Sequence, residues 1–177
     1  QYFNGQEPKG EPRMFNSRFG KLVAAEFSEY LKESVNEKRT FPEKGGYNGF
    51  SKEEAIAEAL RCLHCDCRAI DDCKLRIYSD QYQADQKRFK TSERRNISKQ
   101  MNHDLVVYEA QKCIKCGICV RLTEKYGEKF GFTYIGRGFD VEMGIPFNEE
   151  LNEGLKEVAV KVAEGCPTGA ISLKETR

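Results

Sequence analysis

Residues 113–121 read C-I-K-C-G-I-C-V-R, and at 166–170 the chain returns with C-P-T-G-A. Cys113, Cys116 and Cys119 thus stand at C-x2-C-x2-C spacing, with Cys166 as a remote fourth thiol. Three thiolates on one short loop hold three corners of a [4Fe–4S] cubane, and a fourth returning from elsewhere closes it. Gly117 has no Cβ to keep backbone N–H groups of the loop away from such a group. Pro167 fixes φ directly after the closing cysteine, and Gly169 permits a sharp turn beyond it. Zinc also takes four cysteines, but zinc ligands usually come as paired C-x2-4-C knuckles, whereas a three-plus-one set ending in Cys-Pro suits a cubane. Lys112, Lys115 and Arg121 flank the loop and should raise the potential of an anionic cluster if their charges point inward.

Outward from the loop, L-V-V-Y at 105–108 leads in and A-I-S-L at 170–173 leads out; both are β-prone runs expected to pair as strands. Between them, F-T-Y-I-G-R-G-F-D-V-E-M at 132–143 reads as a hairpin bent at Gly136 and Gly138. After Pro146, Asn148 is placed to cap a helix whose Glu149 and Glu150 suit its positive end. Leu151, Leu155, Val158 and Val162 would form the buried stripe of that one helix.

A second set of thiols lies upstream: Cys62, Cys65, Cys67 and Cys73, spaced C-x2-C-x-C-x5-C. Four thiolates within so few residues can close around one small metal centre without help from elsewhere. The C-x-C pair leaves zinc and an iron–sulfur cluster both open here. His64 lies among them and reads as a neighbour tuning the site by hydrogen bonding, while the isolated His103 reads as a surface or satisfied histidine. Ser51 and Glu54 form a capping box ahead of Ala55, Ile56, Ala59, Leu60 and Leu63, so a helix delivers Cys62 and Cys65 at its end. An earlier helix is expected over 21–36, with Val23, Phe27, Tyr30, Leu31, Ser34 and Val35 on its inner face. The basic run from Lys87 to Lys99 reads as a solvated face, or as a docking surface or counter-charge.

Leu, Ile, Val and Phe make up only 39 of the 177 residues. So thin a core is expected to lean on bound metal groups, whose binding free energy becomes folding free energy. The net charge of +1 gives no argument for nucleic acid or a membrane surface, and no apolar run reaches spanning length. Cysteines clustered at C-x2-C spacing favour ligation in a reducing compartment, here expected to be the cytoplasm. A chain beginning at Gln1 is expected to be a piece of something longer or a processed product.

A two-cluster bacterial ferredoxin repeats the run C-x2-C-x2-C-x3-C-P. Here the x3 step after Cys119 falls on Thr123, and counting back from Cys166 gives Val162, Ala159 and Lys156. One set of four ligand positions is complete and the other absent, so the segment resembles a single-cluster ferredoxin-like module.

The stretch from Cys62 to Ala170 also resembles the iron–sulfur region of the large cluster-bearing subunit of respiratory complex I and of NAD-linked and iron-only hydrogenases. That family carries H-x3-C-x2-C-x5-C, a basic segment, then C-x2-C-x2-C and a remote Cys-Pro. Cys67-x5-Cys73 matches the end of its first motif, K-R-F-K at 87–90 its basic segment, and Gly136-Arg137-Gly138 its hairpin. The family's histidine position falls on Leu60 and its first cysteine on His64, so Cys62 and Cys65 would substitute. Q-Y-F-N-G at 1–5, F-N-S-R-F-G at 15–20 and E-A-L-R-C-L-H-C-D-C at 58–67 resemble segments accompanying the FAD- and NAD(P)H-binding part of glutamate-synthase small-subunit-like oxidoreductases.

These resemblances imply two [4Fe–4S] clusters, with zinc as the alternative at the first site, that relay single electrons between a flavin domain or subunit and another redox protein. FAD and NAD(P)H are expected only in that preceding or partner domain; no G-x-G-x-x-G follows a strand here. The chain by itself should catalyse nothing. The competing class is a zinc-stabilised interaction or nucleic-acid-binding module, and a mixed reading puts one structural zinc beside one cluster. The expected fold is α+β: a tail over 1–20, a mainly helical cysteine-rich segment over 21–105, and a ferredoxin-like module with short antiparallel strands over 106–177.

Overall fold

The apolar runs on either side of the cysteine loop pair as expected. The computed structural model describes residues 5, 22–34, 38–43, 45–46, 49–85, 88 and 95–174. In it, β2 (Val106–Glu109) lies antiparallel to β5 (Ile171–Leu173), with Val106 opposite Leu173 and Tyr108 opposite Ile171. A short β1 (Lys99–Gln100) adds to the other edge of β2, giving the order β1-β2-β5. The hairpin forms from β3 (Thr133–Ile135) and β4 (Glu142–Gly144). Its connection is longer than a two-glycine bend, because residues 138–140 make a 3-10 turn.

Helices α1 (Ala24–Leu31), α2 (Lys52–Ala59) and α3 (Lys74–Gln81) precede the sheet, and α4 (Ile118–Lys125), α5 (Leu151–Gly154) and α6 (Ala159–Gly165) accompany it. The fold is therefore α+β, with the cysteine-rich segment helical and the strands short and antiparallel. The expected tail over 1–20 and most of the basic run over 87–99 lie outside the described residues.

Every residue of β2 is buried. Val106 and Tyr108 join the apolar core with Phe132, Met143, Ile145, Leu151, Leu155, Val158, Val162 and Ile171. By strand alternation Val107 and Glu109 face the opposite side. There Glu109 meets Lys99 rather than solvent. The strand thus separates an apolar core from a buried charge cluster.

Two expectations need correction. The single helix after Pro146 is broken in two, although all four residues of its stripe are buried. Asn148 is left-handed, at φ 59°, and caps nothing; Glu150 occupies the cap position of α5. Gly154 lets the side chain of Ile145 lie where a Cβ would stand, and the chain then leaves helical geometry at Leu155. A distant carboxylate starts α6: Glu128 Oε1 accepts from the N–H groups of Glu157 and Val158 at 2.7 and 2.9 Å. The break frees the Leu155 carbonyl to accept from His103 Nε2 at 2.7 Å, while His103 Nδ1 accepts from the N–H groups of Leu105 and Val106. His103 is accordingly a satisfied buried histidine, with its proton on Nε2.

The second correction concerns α1, which is shorter than the expected 21–36. Val23, Phe27 and Leu31 are exposed; Tyr30 is buried as expected, joined by Glu26 and by Glu33 just beyond the helix end. Glu26 accepts from the N–H of Val23 at the helix start, while Lys99 from a distant segment reaches both Tyr30 and Glu33, and Arg68 also meets Glu33.

Candidate metal centres

Residues 110–112 turn the chain out of β2 and present Cys113; Gly117, at φ 73°, starts α4 and places Cys116 and Cys119 on either side of its first turn. Only glycine suits that start, since a Cβ there would lie 2.6 Å from the Tyr134 hydroxyl as well as being strained. That hydroxyl donates to the carbonyl of Lys115 at 3.2 Å and so pins the loop from outside. Cys166 ends α6, and residues 167–169 turn directly into β5. Strand pairing of β5 with β2 is what returns the fourth thiol to the other three.

All four line one pocket, with Tyr108, Ile114, Gly117, Ile118, Met143 and Ile171 among its walls. Backbone donors point at the sulfurs: Lys115 N–H to Cys113 Sγ at 3.3 Å and Ile171 N–H to Cys166 Sγ at 3.4 Å. Burial pushes the Cys113 thiol up, and burial followed by the charge of Cys113 pushes Cys119 up to about 12. A multiply cationic core bound among the thiols would reverse that balance at Cys113 and Cys119. The donor set therefore fits an iron–sulfur group, with the positive end of α4 and two N–H···S bonds supporting the negative charge.

The flanking cations do not all serve as expected. Lys112 pairs with Glu109, and Arg121 is exposed. Lys115 contributes through its backbone, held at φ 58° with its N–H on Cys113 Sγ. Arg95, from the end of the basic run, donates from Nη1 to the Cys113 carbonyl at 2.9 Å.

The first set is more open. The capping box forms as expected, with Ser51 Oγ accepting from Glu54 N–H and Glu54 Oε2 from Ser51 N–H. Beyond α2 the chain enters the cysteine loop, where Cys62 and Cys65 are exposed, Cys67 half-buried and Cys73 buried at the start of α3. His64 is left-handed, at φ 44°, and its N–H reaches Cys62 Sγ at 3.4 Å. Its role here is a backbone one, the sulfur-facing donor and a carbonyl taken by Lys99 Nζ. Among the described residues, no three His, Cys, Asp or Glu side chains are close enough to hold a single metal ion.

The sequence reading did not single out the residues that join the two sites. Lys99, read as part of a solvated basic face, is fully buried between Glu33 and Glu109; Glu33 also pairs with Arg68 of the first loop. The available signal was Glu26 and Glu33 at helical spacing from Tyr30, two acids that demand buried partners if that side packs inward.

Residues 103–172 match the family model described as NADH-quinone oxidoreductase subunit 3, ferredoxin-like domain. The chain is 29% identical over 126 residues to the mitochondrial NADH-ubiquinone oxidoreductase 78 kDa subunit of Candida albicans, covering 68% of this chain and 17% of that protein. The Neurospora crassa subunit of the same description is 28% identical over 126 residues, covering 68% and 16%. The chain therefore spans about a sixth of the length of these relatives. The crystal structure of an NAD+-reducing [NiFe]-hydrogenase in the H2-reduced state shares the fold at TM-score 0.52, with 23% identity over 62% of this chain and 47% of that one. Residues 103–172 thus carry a ferredoxin-like domain similar to that of an NADH-quinone oxidoreductase subunit.

Proposed function

We propose that this chain is an electron-transfer domain that relays single electrons through two [4Fe–4S] clusters. Cys113, Cys116, Cys119 and Cys166 hold the second cluster; Cys62, Cys65, Cys67 and Cys73 hold the first. The observation that carries the reading is the convergence of four remote and local thiols on one largely apolar pocket with backbone N–H groups aimed at sulfur. A bound cluster would supply one-electron chemistry at a potential set by its charge, burial and N–H···S bonds. The protein's own part is to hold four thiolates in place, to exclude water with Tyr108, Ile118, Met143 and Ile171, and to leave the first site near the surface.

The three-plus-one spacing of Cys113, Cys116, Cys119 and Cys166, all lining one pocket, favours a polynuclear group over a single zinc ion at the second site. The exposure of Cys62 and Cys65 favours exchange with a partner at the first site. That partner is taken to be a flavin oxidoreductase domain or subunit linked to NAD(P)H, with another redox protein at the far end. Support for the flavin side comes from the N-terminal resemblance to glutamate-synthase small-subunit-like enzymes; support for the redox chain comes from the NADH-oxidoreductase subunits that the chain is similar to.

The test is iron, acid-labile sulfide and zinc per chain on anaerobically purified protein, beside its visible spectrum before and after dithionite. About eight iron and eight sulfide with a bleachable brown absorbance is the expected result. Zinc without sulfide overturns the reading, and one zinc beside about four iron reassigns the first site as structural.

A further inference from the structure

Lys99 lies on β1, between the two cysteine sets in sequence and in space. Its backbone N–H donates to Glu29 Oε2 at 3.0 Å, and its ammonium stands 4.2 Å from the centre of the Tyr30 ring, so both ends of the residue are fastened to α1. Nζ donates to Glu33 Oε1 at 2.7 Å and to the carbonyl of His64 at 3.4 Å, and lies 3.9 Å from Glu109 Oε1. The side chain is wholly shielded from solvent.

Each of those partners belongs to one of the two sites. His64 sits between Cys62 and Cys65, and Glu33 also pairs with Arg68 in the Cys67–Cys73 loop. Glu109 ends β2 and pairs with Lys112, the residue before Cys113. A chain of buried charges, Arg68, Glu33, Lys99, Glu109 and Lys112, thus runs from the first loop to the stem of the second, with Lys99 at its centre. Buried charges act over longer distances than exposed ones because water and salt do not screen them.

We infer that Lys99 is a positioning residue that sets the reduction potentials of both cysteine sites together. This rests on the proposed electron-transfer reading. Its ammonium stabilises added negative charge at either site. It acts on the first through the His64 carbonyl that shapes the Cys62–Cys65 turn, and on the second through the carboxylate it shares with Lys112. The two sites are then tuned by one charge, and the step between them keeps its driving force when that charge changes.

The test measures both midpoint potentials by redox titration followed by electron paramagnetic resonance, on the whole protein with iron and sulfide determined first. Lys99→Met is expected to lower both potentials, each reduction equilibrium moving roughly tenfold, about 59 mV for a one-electron couple. Lys99→Arg keeps the charge and is expected to keep both potentials near wild type. Lys99→Met/Glu109→Gln removes a cation and an anion together, so the second potential should recover while the first stays low. The double variant also carries the comparison if the single one, with two glutamates left without their shared cation, does not fold. A first-site potential unmoved in a cluster-loaded Lys99→Met or double variant, or a second-site potential unmoved in the cluster-loaded single variant, overturns the inference. An Arg variant shifted as far as the Met variant also overturns it, because packing would then be the cause. Absence of iron and sulfide from the wild-type chain would instead overturn the electron-transfer reading itself.

Discussion

Cys73 of the first set places its Sγ 3.7 Å from the carbonyl oxygen of Pro167, the residue that follows Cys166 of the second. The same carbonyl accepts from the N–H of Leu75 at 3.1 Å, so the start of α3 is docked on the turn that closes the other site. One peptide unit therefore separates a ligand candidate of one site from the neighbourhood of the other. On the proposed reading, Cys73, Pro167 and Cys166 would offer a short route between the two sites across this one contact.

Gly169 makes that docking possible. Its φ is +64°, and a Cβ on it would stand 2.5 Å from the Cβ of Ala69 in the first loop. Gly169→Ala combines backbone strain with a clash against a rigid neighbour, which together should cost about 1–3 kcal/mol of stability. Denaturant unfolding should show a lowered midpoint, and the magnetic interaction between the two reduced groups should weaken as the loops part. Gly169→Ala/Ala69→Gly relieves the clash but not the strain and should recover only part of each loss. An unchanged interaction with lowered stability would mean the seam is structural alone.

Cys116 stands on the loop with no structural hydrogen bond of its own among those described, in contrast to Cys73. Cys116→Ser should therefore remove or convert the second group while sparing the first, taking iron from about eight to about four per chain. Metal analysis with the dithionite difference spectrum reads this directly. Loss of both signals would show that the buried charge chain and the Pro167 seam make the two sites one folding unit.

Much of this was readable in advance where a local rule dictates geometry. The capping box at Ser51 and Glu54, the pairing of 106–108 with 171–173 and the hairpin all follow from patterns a few residues long. The stripe of Leu151, Leu155, Val158 and Val162 was legible as core, but the break within it was not. That break is made by Ile145, Glu128 and His103, all distant in sequence. The inner face of α1 was read rightly at Tyr30 and wrongly at Val23, Phe27 and Leu31 for a related reason: Lys99 and Arg68, distant in sequence, cover the side that carries Tyr30 and, just past the helix, Glu33. Long-range charge pairing leaves no periodicity in a sequence. The positions where a second ferredoxin cluster would be held were recognised as lacking ligands, yet their replacement by Ala159, Val162 and a bonded Thr123 is a packing result.

Thr123 makes that last point testable. Its hydroxyl donates toward the carbonyls of Cys119 and Val120 and accepts from the N–H of Phe132 at 3.1 Å, tying α4 to β3. Thr123→Val keeps the shape and leaves a buried N–H without its acceptor, at a cost of about 1–3 kcal/mol. Iron and sulfide should be unchanged while the unfolding midpoint falls. A fall in cluster content at equal stability would make Thr123 part of the metal site.

Three carboxylates in the helical segment predict its response to acid. Hydrogen bonding to Lys32, then to the backbone N–H of Lys99, holds Glu29 below its ordinary 4.5. Backbone N–H groups do the same for Glu54, chiefly from Glu43, and for Glu58, chiefly from Thr40. Groups depressed on folding contribute stability above the unfolded value and lose it as pH falls through the folded one. Stability should therefore be level above pH 4.5 as far as these groups act, and fall progressively below it. Since Glu54 and Glu58 hold the Thr40–Glu43 segment on α2, that segment should lose hydrogen-exchange protection first. Glu54→Gln weakens both the cap and the loop contact, and should make the segment's exchange at neutral pH resemble that of the wild type in acid. Protection that stays independent of pH through acid unfolding, or is unaffected by Glu54→Gln, would show that packing rather than these bonds holds the segment.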